Sequence, residues 1–162
     1  MKRLLMICAL AAACAKTPPS APVDFRPTDG SFSARAPGNW RVDQEPGLTR
    51  KAAFFGPADG PRAYTEMIRV ALHPAQEPEA FRVSRAPGAS PLTRTKAGGA
   101  EAWEFTSEAE FLDPHGPARR VVTRTVLVAS PRGLFALEHS RPAGAEPGPA
   151  FEEFLASFRA LP

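Results

Sequence analysis

Between residues 100 and 140 the chain alternates like strands joined by tight turns, and the later strands are apolar on both sides. From about Ala100 to Leu112, Trp103, Phe105, Ala109 and Phe111 point one way, while Glu104, Thr106, Glu108 and Glu110 point the other. Asp113-Pro114-His115-Gly116 suits a type I turn, in which Asp accepts from the backbone, Pro fixes φ and Gly closes. A second strand from Arg119 to Ala129 sets arginines opposite those glutamates. Ser130-Pro131-Arg132-Gly133 repeats the turn chemistry, and Leu134 to Ser140 forms the third strand. Val126, Val128, Phe135 and Leu137 share one face; Leu127, Leu134 and Ala136 share the other. Such a sheet cannot meet water on either side and must be covered on both.

One cover is written at the C-terminus. Gly148-Pro149 opens a predicted helix in which Phe151, Phe154, Leu155, Phe158 and Leu161 follow the 3.6-residue period. Glu152 and Glu153 stand near its positive end and Arg159 near its negative end. Burying those three phenylalanines and two leucines stabilises by on the order of 10 kcal/mol, so this helix belongs to the core. The other cover is shorter: a predicted helix from Pro78 to about Arg85, with Pro78 in its first turn and Glu77 and Glu79 at its start. Ala86 to Pro91 is expected to be loop.

The N-terminal half supplies further strands. Ser31 to Ala36 places Phe32, Ala34 and Ala36 on one face, Pro37-Gly38-Asn39 turns the chain, and Trp40-Arg41-Val42 starts again. Ala52 to Phe55 and Tyr64 to Leu72 follow, the latter with Glu66, Ile68, Val70 and Leu72 on one face and Met67 and Ala71 on the other. The pattern predicts an α+β fold: an antiparallel β-sheet with helices on its faces.

Ahead of the domain stands a leader. Lys2 and Arg3 precede a ten-residue apolar run, Leu4 to Ala13, that spans about 15 Å as a helix, too short for a permanent membrane span. It fits a secretory signal peptide over residues 1–13. Leu10-Ala11-Ala12-Ala13-Cys14 resembles a bacterial lipobox, with Ala11 where leucine is usual. That resemblance implies lipidation of Cys14, hence attachment to a membrane through several acyl groups, which anchor far more firmly than one. Cleavage after Ala13 or Ala15 by an ordinary signal peptidase would instead release a soluble secreted protein. Ala15, next to the modified cysteine, favours the outer over the inner membrane in a periplasm-facing cell-envelope location. Residues 14–23 read as the lipidated cysteine and a proline-rich flexible tether, and residues 24–162 as one domain.

Charge excludes one class of partner. Lys2 and Arg3 leave with the signal and no acid does, so 18 basic side chains face 17 acidic ones. That balance does not support nucleic-acid binding, which needs a clustered basic face. No cysteine follows Cys14, so the domain must be held without disulfides.

Catalytic signals are sparse. His73, His115 and His139 are far apart and stand in no zinc-ligand spacing. No G-x-S-x-G or phosphate-binding loop occurs. Glu104, Glu108 and Glu110 invite a metal or acid–base reading, against which stands simple pairing with Arg119, Arg120 and Arg124. His139 is placed near Glu138, and Trp40 and Trp103 read as core anchors. No catalytic, metal-ligating or cofactor-binding residue is assigned, and no cofactor is expected.

The order of these segments resembles the PsbP/Mog-type (PsbP-like) domain. The residues that carry the likeness are Ser31-Phe32-Ser33-Ala34-Arg35-Ala36-Pro37-Gly38-Asn39-Trp40, Gly98-Gly99-Ala100-Glu101-Ala102-Trp103 and Phe151-Glu152-Glu153-Phe154-Leu155-Ala156-Ser157-Phe158. The resemblance implies an α/β/α sandwich and a binding or assembly factor rather than an enzyme. It departs over Pro74 to Thr95, which is rich in proline and leaves room for only a short helix. The expectation is therefore a lipid-anchored envelope protein that is not an enzyme and that binds another envelope protein. The alternative is a module for a small ligand or metal ion on the glutamate face.

Overall fold

A computed structural model describes residues 21–44, 49–57, 64, 66–111 and 118–162. Along them run β1 (Val23–Phe25), β2 (Phe32–Ala36), β3 (Arg41–Asp43), β4 (Arg50–Phe55), β5 (Met67–His73), α1 (Pro78–Arg85), β6 (Thr93–Ala97), β7 (Ala100–Phe111), β8 (Arg119–Ser130), β9 (Gly133–Pro142), α2 (Ala150–Ser157) and β10 (Arg159–Ala160). The result is a mixed α+β fold dominated by antiparallel sheet. The leader, Cys14, the tether up to residue 20 and the turn holding His115 lie outside the described residues.

The larger sheet has the order β3-β4-β5-β9-β8-β7-β6, and all its pairs are antiparallel. A small sheet, β1-β2-β10, lies beside it. The two-faced apolar pattern of the meander is realised as two cores. On one face, Val126, Val128, Phe135 and Leu137 join Phe32, Phe54 and the apolar side of α2. On the other face, Leu127, Leu134, Ala136 and Phe105 close around Phe81 of α1.

Aromatic rings knit the first core. Phe32 stacks on Phe158 at 5.5 Å, and Phe54 meets Phe154 edge-on at 5.3 Å. Gly98, in the turn between β6 and β7, has φ +59 and donates its amide to the Leu155 carbonyl at 2.6 Å, fastening this turn to the end of α2.

Several boundaries differ from the sequence expectation. α2 stops at Ser157, so Phe158 buries its ring from an extended backbone, and Arg159 enters β10 opposite Ser33 instead of closing the helix. Arg159 still donates to the Ala156 and Phe158 carbonyls, satisfying helix-end acceptors. β1, β6 and β10 were not anticipated. β6 reads Thr-Arg-Thr-Lys-Ala and is an edge strand with one buried side chain, Ala97, so it carries almost no hydrophobic alternation.

Candidate functional site

The α2 side of the sheet holds a polar network. Arg124 on β8 donates through Nε at 2.9 Å and Nη2 at 2.7 Å to Glu104 on β7, and through Nη1 to Glu152 on α2. Burial disfavours the Arg124 charge, yet its bonds to the two glutamates outweigh that and raise its pKa. Its guanidinium lies over the Phe151 ring, 5.5 Å from the centroid. Next to it His139, 3% exposed, stacks on Phe151 at 4.9 Å and shares a 3.0 Å hydrogen bond with Glu66.

His139 is therefore paired with Glu66 and not with its chain neighbour Glu138. Successive strand residues point to opposite faces, so Glu138 emerges on the α1 side. The glutamate row is engaged as charge pairing predicts for two of its members. Glu104 holds Arg124 and Glu108 holds Arg120 at 2.9 Å, whereas Glu110 registers with Arg120 and Arg119 with Phe111.

A small cavity of about 120 Å³ opens here, lined by His139, Arg124 and Thr106. An imidazole with a carboxylate partner invites comparison with a nucleophile-activating pair. Thr106 pairs with Arg124, and Arg124 with His139, across adjacent strands. Thr106 therefore stands two strand spacings from the imidazole, about 10 Å, well beyond hydrogen-bond reach. The network ties α2 to the sheet.

The opposite face differs because α1 is short and covers only part of it. Beside α1 the sheet carries a polar row, Arg69–Glu138–Thr125–Phe105, running across β5, β9, β8 and β7. A second row, Met67–Ser140–Thr123–Ser107, lies parallel to it. The register of β4 against β5 shifts between Arg50 and Ala52, and this bulge brings Arg50 onto the same face beside Ala71.

Two adjoining clefts result, of about 290 and 480 Å³, sharing Arg69, Phe81, Arg85 and Glu138. The smaller is walled by Phe81, Phe105, Met67 and Ala86 with hydroxyls from Ser107 and Thr125; the larger is lined by Arg50, Arg69, Arg85, His73 and Thr49. His73 is 8% exposed, with Phe81 edge-on at 4.9 Å. Burial lowers its pKa, and the positive charges of Arg85 and Arg69 lower it further.

Trp40 is half-buried against the first core, with Gly56 close beneath its ring; Trp103 is half-buried on the α1 side, outside both cores. Among the described residues, no three His, Cys, Asp or Glu side chains are grouped to hold a metal ion. No described helix is long and apolar enough to cross a membrane. The clefts escaped sequence reasoning because their residues come from β4, β5, α1, β7, β8 and β9, and no local motif joins them.

No family model matches the chain, and no curated protein is similar to it in sequence. Among solved structures, the chain is similar to a crystal structure from Bacteroides thetaiotaomicron VPI-5482 at a TM-score of 0.59 and 16% identity, over 88% of this chain and 50% of the other. The chain thus spans half the length of that neighbour, and the likeness concerns the fold alone.

Proposed function

We propose that this is a lipid-anchored envelope protein whose domain is a non-catalytic binding module, taking its target in the clefts on the α1 side of the sheet. The observation that carries the proposal is the incomplete cover. α1 closes one end of the sheet face and leaves clefts of about 290 and 480 Å³ beside it, in the size range of small-ligand sites. The PsbP/Mog-type resemblance supports the same reading, since a sandwich of that type implies binding and not bond-making. The glutamate face is a weaker candidate, because Glu104 and Glu108 are each held by an arginine.

Ligand binding is tested by nuclear magnetic resonance of the full chain against a library of small metabolites. Binders are expected to move the amides of Arg69, Thr125 and Ser140 and to leave those of Phe151 and Glu152 on α2, at the opposite face, unmoved; the reverse pattern would refute the assignment of the face. The anchor is tested by labelling cells with a palmitate analogue. Label is expected on the wild type and absent from Cys14→Ser, and equal label on both would remove the anchor. A protein partner is the second reading, supported by Val83, an apolar side chain 51% exposed on α1.

A further inference from the structure

The larger cleft gathers positive charge and the smaller carries more apolar wall, with Arg69, Phe81 and Arg85 lining both. Arg69 turns Nε and Nη2 to Glu138, the one carboxylate among the described residues that line the clefts, and its Nη1 stays outside that pair. Arg85, exposed at the end of α1, has no carboxylate partner among the described residues. Arg50, which pairs with Asp43 at 3.8 Å, also lines the larger cleft from the bulge in β4. Guanidinium groups match carboxylate and phosphate oxygens by geometry as well as charge.

A second, independent feature points the same way. His73 is 8% exposed and lines the larger cleft with Arg69 and Arg85, so its imidazole adds a hydrogen-bonding group beside the two guanidiniums. Phe105 and Met67 wall the smaller cleft and Phe81 lines both; along the row, Phe105 stands about three strand spacings or 14 Å from Arg69.

We propose that the clefts bind a small amphiphilic anion, its carboxylate or phosphate head set among Arg69, Arg85 and His73 and its apolar body laid against Phe81, Phe105 and Met67. This rests on the reading of the α1 side as a binding face and adds the chemical class of its ligand. Arg85 reaches the head from α1 and Arg69 from the sheet, so the head also ties the helix to the strand beneath it.

The test titrates the full chain with octanoate, octyl phosphate, octanol and octylammonium, followed by amide shifts and calorimetry. Octanoate or octyl phosphate should bind saturably and shift Arg69, His73 and Thr125, and the tighter of the two identifies the head group. Arg85→Glu should weaken that binding about tenfold or more, and Arg85→Lys by no more than about threefold, given the short-range charge involved. Denaturation curves of both variants should overlie the wild type, since Arg85 is exposed. Octanol binding as tightly as octanoate at these residues would overturn the anion while leaving a binding face. No response to any probe would overturn both, whereas cleft binding indifferent to Arg85→Glu would overturn the placing of the anionic head and leave the binding face.

Discussion

The turn between β6 and β7 offers a controlled experiment, because it contains two adjacent glycines in the same backbone region with different surroundings. Gly98 has φ +59 and Gly99 φ +84, so an alanine at either pays the left-handed penalty of about 1–2 kcal/mol. At Gly99 a new Cβ would meet nothing within 4 Å. At Gly98 it would lie 2.9 Å from the Phe158 carbonyl carbon and nearer still to its oxygen, inside van der Waals contact with backbone that has no side-chain freedom to yield. Relief requires the end of α2 to move off the turn, straining the 2.6 Å bond from Gly98 to Leu155 and the seat of Phe158. Gly99→Ala should therefore lose about 1–2 kcal/mol and Gly98→Ala about 4 kcal/mol or more, a size reserved for core disruption. Urea unfolding followed by tryptophan fluorescence and circular dichroism measures both, with the midpoint at unchanged slope as the readout. Equal losses for the two variants would refute the close approach of helix and turn on which the difference rests.

Two further outcomes follow from the packing and the charges. Phe154→Ala, which empties a fully buried site beside Phe54 and Phe158, should cost about 3–5 kcal/mol, while Val83→Ala on the outer side of α1 should cost under about 0.5 kcal/mol; calorimetric melting compares them. Asp29 is partly desolvated, which works against its ionisation, but hydrogen bonds from Lys51 at 2.9 Å and from Ser31 outweigh this and bring its pKa from 3.8 to about 2. Because the folded value is the lower one, the stabilisation is present above pH 3.8 and is lost as the pH falls towards 2. Asp29→Asn should thus cost only about 0.5–1 kcal/mol at neutral pH, solvent screening included, and nothing near pH 2. A deficit that stays constant across that range in urea titrations would show that the charge is not responsible.

What the sequence discloses depends on how local the physics is. The meander was legible because Val126, Val128, Phe135 and Leu137 against Leu127, Leu134 and Ala136 write both faces of the sheet in consecutive residues. α1 was legible from Pro78 and its flanking charges. The end of α2 was not: Phe158 keeps the helical period and is buried either way, so periodicity cannot tell a last turn from a departing strand. β1, β6 and β10 are short or polar, and their stability comes from pairing with distant segments. The partner of His139 is Glu66, 73 residues away, and the clefts collect side chains from six elements. Strand parity alone did carry one usable clue: Glu138 and His139 could never have shared a face.

The pairing of β10 with β2 bears on how the chain comes to be folded at all. Phe32 finds its stacking ring in Phe158, and the Arg35 amide finds its acceptor in the Ser157 hydroxyl 122 residues further on. Contacts that span the length of a polypeptide form late and slowly, because the entropy of closing the loop is spent before any reward arrives. The first core can therefore close only when the α2–β10 segment has been delivered, and a ribosome that still grips that segment keeps this core open.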